Sequence, residues 1–572
     1  MISINKVYKC FFISILTCYT SFVFADEKDI TQECCVFFGE PGLVGPGSVS
    51  FVTKGDTEFS FGSTTRIIPT YENDWDFGLS RTEGIDFFGG QNEIAVTHFT
   101  ESGVVAGEYL RGQANVYFNA LPKSRDWSFF LWLQADAALD ISTVDQNAGA
   151  GNQESDFGIE RLHLTGRIPG TNMRLHTGWA LWDIDMGPGA GLVYLDDNPG
   201  VWLTGWDEHN QWDWSLGWFK LRDNSKVDDA TRFSVPGGDR SNLDRNLIGG
   251  FIDHTIHDGA GRFRSFFTFD AANGVPVGSW QRNFAGQTTS TTASTSAGSD
   301  ADVWHVGGIY TADHGPFNLM LEGVYEFGDV DDAGLAGVAL PTGGFGEDKY
   351  DVKAYALAGM LKMKTSSPLG FTPHIGFQYT SGDDDADDGD LSGYTANLAG
   401  QRFTAFGGEN TFLNDTHMIF GTALFGFLPE GLGNGTPVFS GGIDNFAGFG
   451  FGRGDNPGLK MLQVGFSLNP SGNTVLDSSV RVFGYNEDIV VDSLATGSSA
   501  QTVVDSGYAG TEFTNQLTYA MNSAVAIKVQ GSLLFPGKMA KDISEALGAG
   551  GAVNTRSDDV AKRVAAELVW NF

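Results

Sequence analysis

The chain has 572 residues, a formal net charge of −35 and 41% hydrophobic residues counted without glycine. No Lys/Arg block occurs, which excludes nucleic acid as a partner. After the N-terminal region no apolar run approaches the roughly 18 residues of a membrane helix, which excludes helical spans. The 45 Phe, 13 Trp and 77 Gly suit many short strands joined by glycine-rich turns.

Residues 1–25 read as a secretory signal. Lys6 and Lys9 precede a largely apolar run from Cys10 to Phe24, and Val23-Phe24-Ala25 offers a cleavage site. Cleavage there would remove Cys10 and Cys18 and leave the adjacent pair Cys34 and Cys35. Neighbouring cysteines bridge each other only with strain, so they stay free or pair with a partner. Residues 26–56, polar and punctuated by Gly and Pro, read as a periplasmic lead-in.

From residue 57 a rhythm of strand, long loop, strand and tight turn sets in. Candidate strands fall near 57–70, 107–120, 127–138, 157–168, 173–182, 200–207, 212–222, 245–255, 261–270, 302–312, 316–327, 350–363, 371–381, 458–468, 474–485, 510–520, 524–535 and 560–572. Their number, about 18 with 16–20 as bounds, is even, as a single-chain barrel with both ends on one side requires. Short turns such as Pro169-Gly-Thr-Asn172 and Asn469-Pro-Ser-Gly-Asn473 alternate with long loops, the longest at 382–457. The expected fold is all-β: a transmembrane antiparallel β-barrel over 57–572, with long extracellular loops and short periplasmic turns. A soluble sandwich has no reason to show that asymmetry.

Within the strands the alternation is plain. From Tyr109 to Ala120, Leu110, Gly112, Ala114, Val116, Phe118 and Ala120 share one face, while Tyr109, Arg111, Gln113, Asn115, Tyr117 and Asn119 share the other. At the end of the chain Val564, Ala566, Leu568, Trp570 and Phe572 form an apolar face opposite Ala565, Glu567, Val569 and Asn571. This terminus resembles the recognition strand by which the outer-membrane assembly machinery takes up bacterial β-barrel proteins, which makes Leu568, Trp570 and Phe572 the candidate signal and places the chain, by expectation, in the outer membrane of a Gram-negative bacterium. By the same parity Arg66, Arg111, Arg161, Arg174, Arg264, Lys353, Arg481 and Lys528 face inward, as do His163, His176, His374, Glu58, Asp136, Glu322, Glu326, Asp351, Asp477 and Glu512. The cations read either as a ring that draws anions through a lumen or as partners in inward ion pairs that hold a wide barrel in shape.

Three further features invite chemistry. The run Asp383 to Asp390 packs carboxylates densely enough to repel one another unless a hard cation neutralises them, making Asp383, Asp385, Asp387 and Asp390 a candidate Ca²⁺ loop; the alternative is a solvated acidic loop. Trp202, Trp206, Trp212, Trp214 and Trp218 straddle one turn and read as an interface girdle or as a sugar-stacking platform. No G-x-S-x-G, H-E-x-x-H or C-x-x-C-H motif occurs, so no enzyme is expected and no cofactor beyond that Ca²⁺.

The segment Gly370-Phe-Thr-Pro-His-Ile-Gly-Phe-Gln-Tyr-Thr-Ser-Gly-Asp-Asp384, followed by the acidic loop and by Phe403 to Gly408, resembles the alginate export family of outer-membrane barrels. Gly510-Thr-Glu-Phe-Thr-Asn-Gln-Leu-Thr-Tyr519, the strand ending Leu534-Phe535-Pro536-Gly537, and the terminal Phe572 extend the likeness over about the last 220 residues. The resemblance implies an 18-stranded monomeric barrel with a charged lumen. A channel for a polyanion needs a strongly basic interior, and here the inward charges are mixed. The expected function is a porin-like channel for passage or export of a hydrophilic solute, anionic or polysaccharide by resemblance, with its constriction where the loop 382–457 folds inward. The second reading is a barrel sheath around a multihaem cytochrome. Expected partners are outer-membrane lipid, the barrel assembly machinery, the solute itself, and, for the sheath, a periplasmic or cytochrome partner.

Overall fold

The computed structural model describes residues 49–53, 55–73, 106–138, 156–185, 190–207, 212–222, 245–256, 260–275, 299–331, 347–383, 388–397, 457–492, 501–547, 550 and 558–571. The first strands in chain order are β1 (Val49–Val52), β2 (Thr57–Asn73), β3 (Ala106–Pro122), β4 (Trp127–Ala138), β5 (Asp156–Arg167), β6 (Met173–Asp183), β7 (Leu195–Asp207) and β8 (Trp212–Arg222). Then come β9 (Arg245–Ile256), β10 (Gly261–Val275), β11 (Ser299–His314), β12 (Phe317–Asp331), β13 (Tyr350–Met363), β14 (Thr372–Thr380) and β15 (Asp390–Leu391). The last are β16 (Leu459–Ser471), β17 (Thr474–Tyr485), β18 (Ile489–Asp492), β19 (Gln501–Val504), β20 (Gly507–Ala520), β21 (Val525–Pro536), the helix α1 (Lys538–Leu547) and β22 (Ala561–Asn571).

Eighteen strands form a closed antiparallel barrel in which each pairs with its neighbours in the chain. Closure is made by β22 on β2, from Thr64 opposite Asn571 to Asn73 opposite Lys562. Full closure leaves no strand edge in the wall. Below that seam β1 continues along β2, with Val49 opposite Phe61 and Val52 opposite Glu58. The end of the stretch read as a lead-in is therefore strand. Residues 1–48, with the signal sequence and both Cys34 and Cys35, lie outside the described residues, as does Phe572.

The alternation read from the sequence sets which face points where. Along β22 Lys562, Val564, Leu568 and Trp570 are exposed, while Arg563, Ala565, Glu567 and Val569 are buried. Exposed apolar side chains cover the outer face of every barrel strand, among them Leu175, Leu216, Ile252, Leu321, Leu357, Leu462, Val464 and Leu568. Outward rings gather at the two rims. Near the short turns Phe61 meets Phe118 edge-on at 5.0 Å, and Phe371 lies 5.6 Å from Phe466. Near the long loops Trp304 lies 4.5 Å from Phe269 and 6.5 Å from Phe327, and Tyr355 stacks on Tyr379 at 5.7 Å.

One parity assignment is corrected. In β13 the buried face is Tyr350, Val352, Ala354, Ala356, Ala358 and Met360, so Lys353 and Asp351 point outward together with Tyr355 and Leu357. Both faces of β13 are apolar near its middle, so alternation alone did not tell them apart. The small alanines face inward because an inward-folded loop packs on them. Lys353 instead bridges Asp351 at 3.3 Å and Asp390 at 2.8 Å on the exposed rim.

At the long-loop end α1 lays its apolar side inward. Met539, Ala540, Ile543 and Ala546 are buried in one cluster with Val504, Ala509, Leu534, Ala561 and Ala565. At Gly178, where β6 passes β5, the backbone has φ +125° and a Cβ would strike the carbonyl of Leu162; only glycine fits there.

Candidate functional site: a polar lumen crossed by two straps

The inner face carries the polar groups. Seven of the eight sequence-predicted cations sit at inward positions, Lys353 being the exception. Arg161 and Arg174 are buried, each against a ring of the wall: the Arg161 guanidinium lies 4.6 Å over Trp132 and that of Arg174 lies 5.1 Å over Trp206. Arg481 donates to Gln463 at 3.0 Å and Ser479 at 2.9 Å. Arg264 donates to both oxygens of Asp253 at 2.7 and 2.8 Å and to the carbonyl of Ile184 at 2.7 Å. Arg66 and Lys528 flank Glu567 at 3.4 and 3.2 Å. Arg111 occupies an inward register position opposite Ile68; its side chain lies outside the described ones. The inward cations thus form several local groupings, with rings, amides and carboxylates as neighbours.

Trp202 and Trp206 face the lumen, whereas Trp212 and Trp218 are exposed on the outer face and Trp214 shares their side of β8. The Trp cluster therefore divides between the two readings. Trp202 is no sugar platform: His163 and His176 stack on it at 5.0 and 5.1 Å, Phe219 packs at 5.6 Å, and the ring is 5% exposed. His163 Nε2 and His176 Nδ1 lie 3.3 Å apart, and His176 Nε2 lies 2.8 Å from Thr204 Oγ1.

Two loops fold into the barrel. The first follows β6 and is seen at residues 184–185 and 190–194. Leu192, Val193 and Tyr194 are fully buried, packed with Trp182 and Phe219 of the wall. Asp185 accepts from the backbone N–H of Val193 at 2.7 Å and of Tyr194 at 3.2 Å. Glu322 of β12 accepts from the N–H of Ala190. The second loop follows β14 and is seen at residues 388–397, entering through the two-residue strand β15. Glu326 of β12 accepts from Thr395 N–H and Oγ1, both at 2.8 Å, while the Thr395 carbonyl accepts from His305 at 2.8 Å. Asn397 donates to Asp270 at 2.9 Å and accepts from Thr268 at 2.7 Å; its carbonyl accepts from Arg245 at 3.0 Å. Arg245 Nε also donates to Asp270 at 2.9 Å.

The straps hold each other. Tyr394 Oη donates to the Leu192 carbonyl at 2.6 Å, and Asn397 N–H donates to the Val193 carbonyl at 3.0 Å. The inward fold expected of the loop 382–457 is present in its first part; residues 398–456 lie outside the described residues. The strap after β6 went unpredicted. Its one sequence signal is the apolar Leu192-Val193-Tyr194 inside an otherwise Gly/Asp-rich loop.

Of the acidic run, Asp383 and Asp390 are among the described residues. Asp383 is buried and accepts from Ser392 N–H at 3.3 Å, whereas Asp390 pairs with Lys353 on the exposed rim. Asp385 and Asp387 lie outside the described residues, and among the described residues no three His, Cys, Asp or Glu gather into a metal site. Leu568 and Trp570 point outward.

No family model and no curated protein matches the chain, so the likeness to the alginate export family rests on the three sequence stretches alone. Among solved structures the fold is similar to outer-membrane porins of the Occ type. A BenF-like porin from Pseudomonas fluorescens Pf-5 aligns at 12% identity and a TM-score of 0.45, covering 91% of this chain and all of that one. Acinetobacter baumannii OccAB2 aligns at 10% identity and 0.45, covering 92% and 100%. Pseudomonas aeruginosa OccK2 (OpdF), solved in complex with glucuronate, aligns at 11% identity and 0.43, covering 90% and 98%.

Proposed function

We propose that the chain is an outer-membrane channel for passive diffusion of small hydrophilic solutes. The observation that carries this reading is the reversal of polarity across one closed wall: apolar side chains banded by aromatic rims outside, and arginines, carboxylates and amides inside. A contiguous apolar band around a whole barrel in water far exceeds the few hundred Å² that soluble proteins tolerate, whereas in hydrocarbon it is the required surface. The long loops then face the outside and the short turns the periplasm.

The straps favour a small solute over a polysaccharide. Two segments of the chain itself, bonded to each other and both to β12, occupy lumen space through which a polymer would have to thread. The same occupancy weighs against the sheath, since a cytochrome would need that space. Inward arginines give the channel a preference for anions. Liposome swelling tests this reading: proteoliposomes should swell faster with monosaccharides than with tetrasaccharides, and faster with sugar acids than with neutral sugars of the same size. Equal rates for all of them, or none, would reject it.

A further inference from the structure

We propose that the wall facing the straps, from β20 round to β3, is a track for hydroxyl-rich solutes of monosaccharide size, with the side chains of Gln516 and Gln530 at its centre. The proposal rests on the channel reading and names the solute class that the channel favours. The straps are tied to one side of the ring by Arg245, Arg264, His305, Glu322 and Glu326, on β9 to β12. By strand order β22 and β2 lie halfway round from β10. On the strap side Phe266, Ile309, Met320 and Val324 join the apolar cluster that holds Leu192, Val193 and Tyr194. Across the lumen the inner face is rich in amides and hydroxyls: Asn115 on β3, Thr514, Gln516 and Thr518 on β20, Gln530 and Ser532 on β21.

Part of this face bonds to itself. Thr514 donates to Glu512 at 3.1 Å, and Ser532 donates to the same carboxylate. Four acceptors do not: Asn115 Oδ1, Gln516 Oε1, Thr518 Oγ1 and Gln530 Oε1 receive no hydrogen bond from the described residues. Gln516 and Gln530 stand directly opposite each other across β20 and β21, and neither carbonyl takes the other's amide. Asn115, Thr518 and Gln530 are each 1% exposed, so bulk water does not compensate them. An acceptor withdrawn from water without a donor is costly. A run of such acceptors on one inner face marks a place for donors brought from outside the chain.

A solute rich in O–H groups supplies those donors. Each Gln amide sets an acceptor and a donor side by side, which matches two adjacent hydroxyls on a sugar ring. Charge is balanced beside the track, where Glu567 lies between Arg66 and Lys528 at 3.4 and 3.2 Å. Arg66 and Lys528 are 26% and 20% exposed, so this wall opens on the lumen. Gln516 and Gln530 stand about as far above their short turn as Glu322, which holds the first strap, stands above its own. The track therefore passes the level at which a strap occupies the other side of the lumen. An ether of the same size brings mostly further acceptors and would leave these carbonyls unpaired.

Osmotic swelling of proteoliposomes holding the full chain tests this with D-xylose and triethylene glycol. The two have equal mass, but the first is rich in hydroxyl donors and the second is mostly ether. After subtraction of protein-free liposomes, xylose should enter about fivefold faster, the factor that one net hydrogen bond provides. The double variant Gln516→Leu, Gln530→Leu keeps the side-chain bulk and should bring the ratio to near unity, in vesicles whose KCl conductance shows that the variant has inserted. Thr518→Val, a milder change on the same strand, should lower the ratio partway, and it decides alone if the double variant does not insert. A wild-type ratio near unity, or a full ratio that survives in the inserted variants, would overturn the track while leaving the channel intact. No swelling with either solute and no conductance would overturn the channel reading itself.

Discussion

The carboxylate of Glu567 on the last strand lies 3.4 Å from the guanidinium of Arg66 on the first strand of the barrel. Lys528 of β21 approaches the same carboxylate at 3.2 Å, so one buried acid ties together the three strands that close the cylinder. Glu567→Ala would leave two cations facing each other across the seam. Both are about a fifth to a quarter exposed, which moderates the penalty, and a loss of about 1–3 kcal/mol is expected. The temperature at which the folded barrel unfolds in SDS should fall, and Glu567→Gln should recover part of it. An unchanged temperature would show that the seam is held by its backbone ladder alone.

Tyr394 tests the contact between the straps. Tyr394→Phe removes one buried hydrogen bond to the Leu192 carbonyl and leaves the ring in place. A net loss of about 1 kcal/mol corresponds to roughly fivefold in the docked population. Single-channel records should show more frequent high-conductance intervals at fixed pH. Unaltered dwell times would mean that the straps dock independently of each other.

Val464 tests the solvent on the outer face. It is 52% exposed in the middle of β16. In water, Val464→Arg should change stability by less than about 0.5 kcal/mol. In a bilayer, the same change near mid-depth should cost about 2–4 kcal/mol. Urea titration of the protein folded in liposomes distinguishes the two.

Arg111, Arg161, Arg174 and Arg481 share inward positions on β3, β5, β6 and β17. Replacing all four by Gln should move the reversal potential in a KCl gradient toward that of a cation-preferring pore. A reversal potential that stays put would mean that these side chains shape the wall and leave selectivity to other groups.

How far the sequence reached depends on the range of the forces involved. All 18 wall strands were legible because a strand with an apolar outer face and a polar inner face must alternate with period two, and the paired short turns fix its direction. Parity failed at Lys353 and Asp351, where a loop packing on Ala354 and Ala356 makes the inner wall as apolar as the outer. Glu322 and Glu326 could be placed inward, but what they hold could not. Their backbone partners Ala190 and Thr395 lie 132 and 69 residues away, on loops with no periodicity to read. In the acidic run, density alone could not show that Asp383 meets Ser392 or that Asp390 pairs with Lys353 on the rim, since both partners are set by the fold.

Purified full-length protein added to a planar bilayer in symmetric KCl measures the central claim most directly. The account predicts stepwise insertion of discrete, ohmic conductance units, each with sub-states that Tyr394→Phe shifts toward the larger step. A protein that stays monomeric without detergent and leaves the bilayer current flat would contradict it.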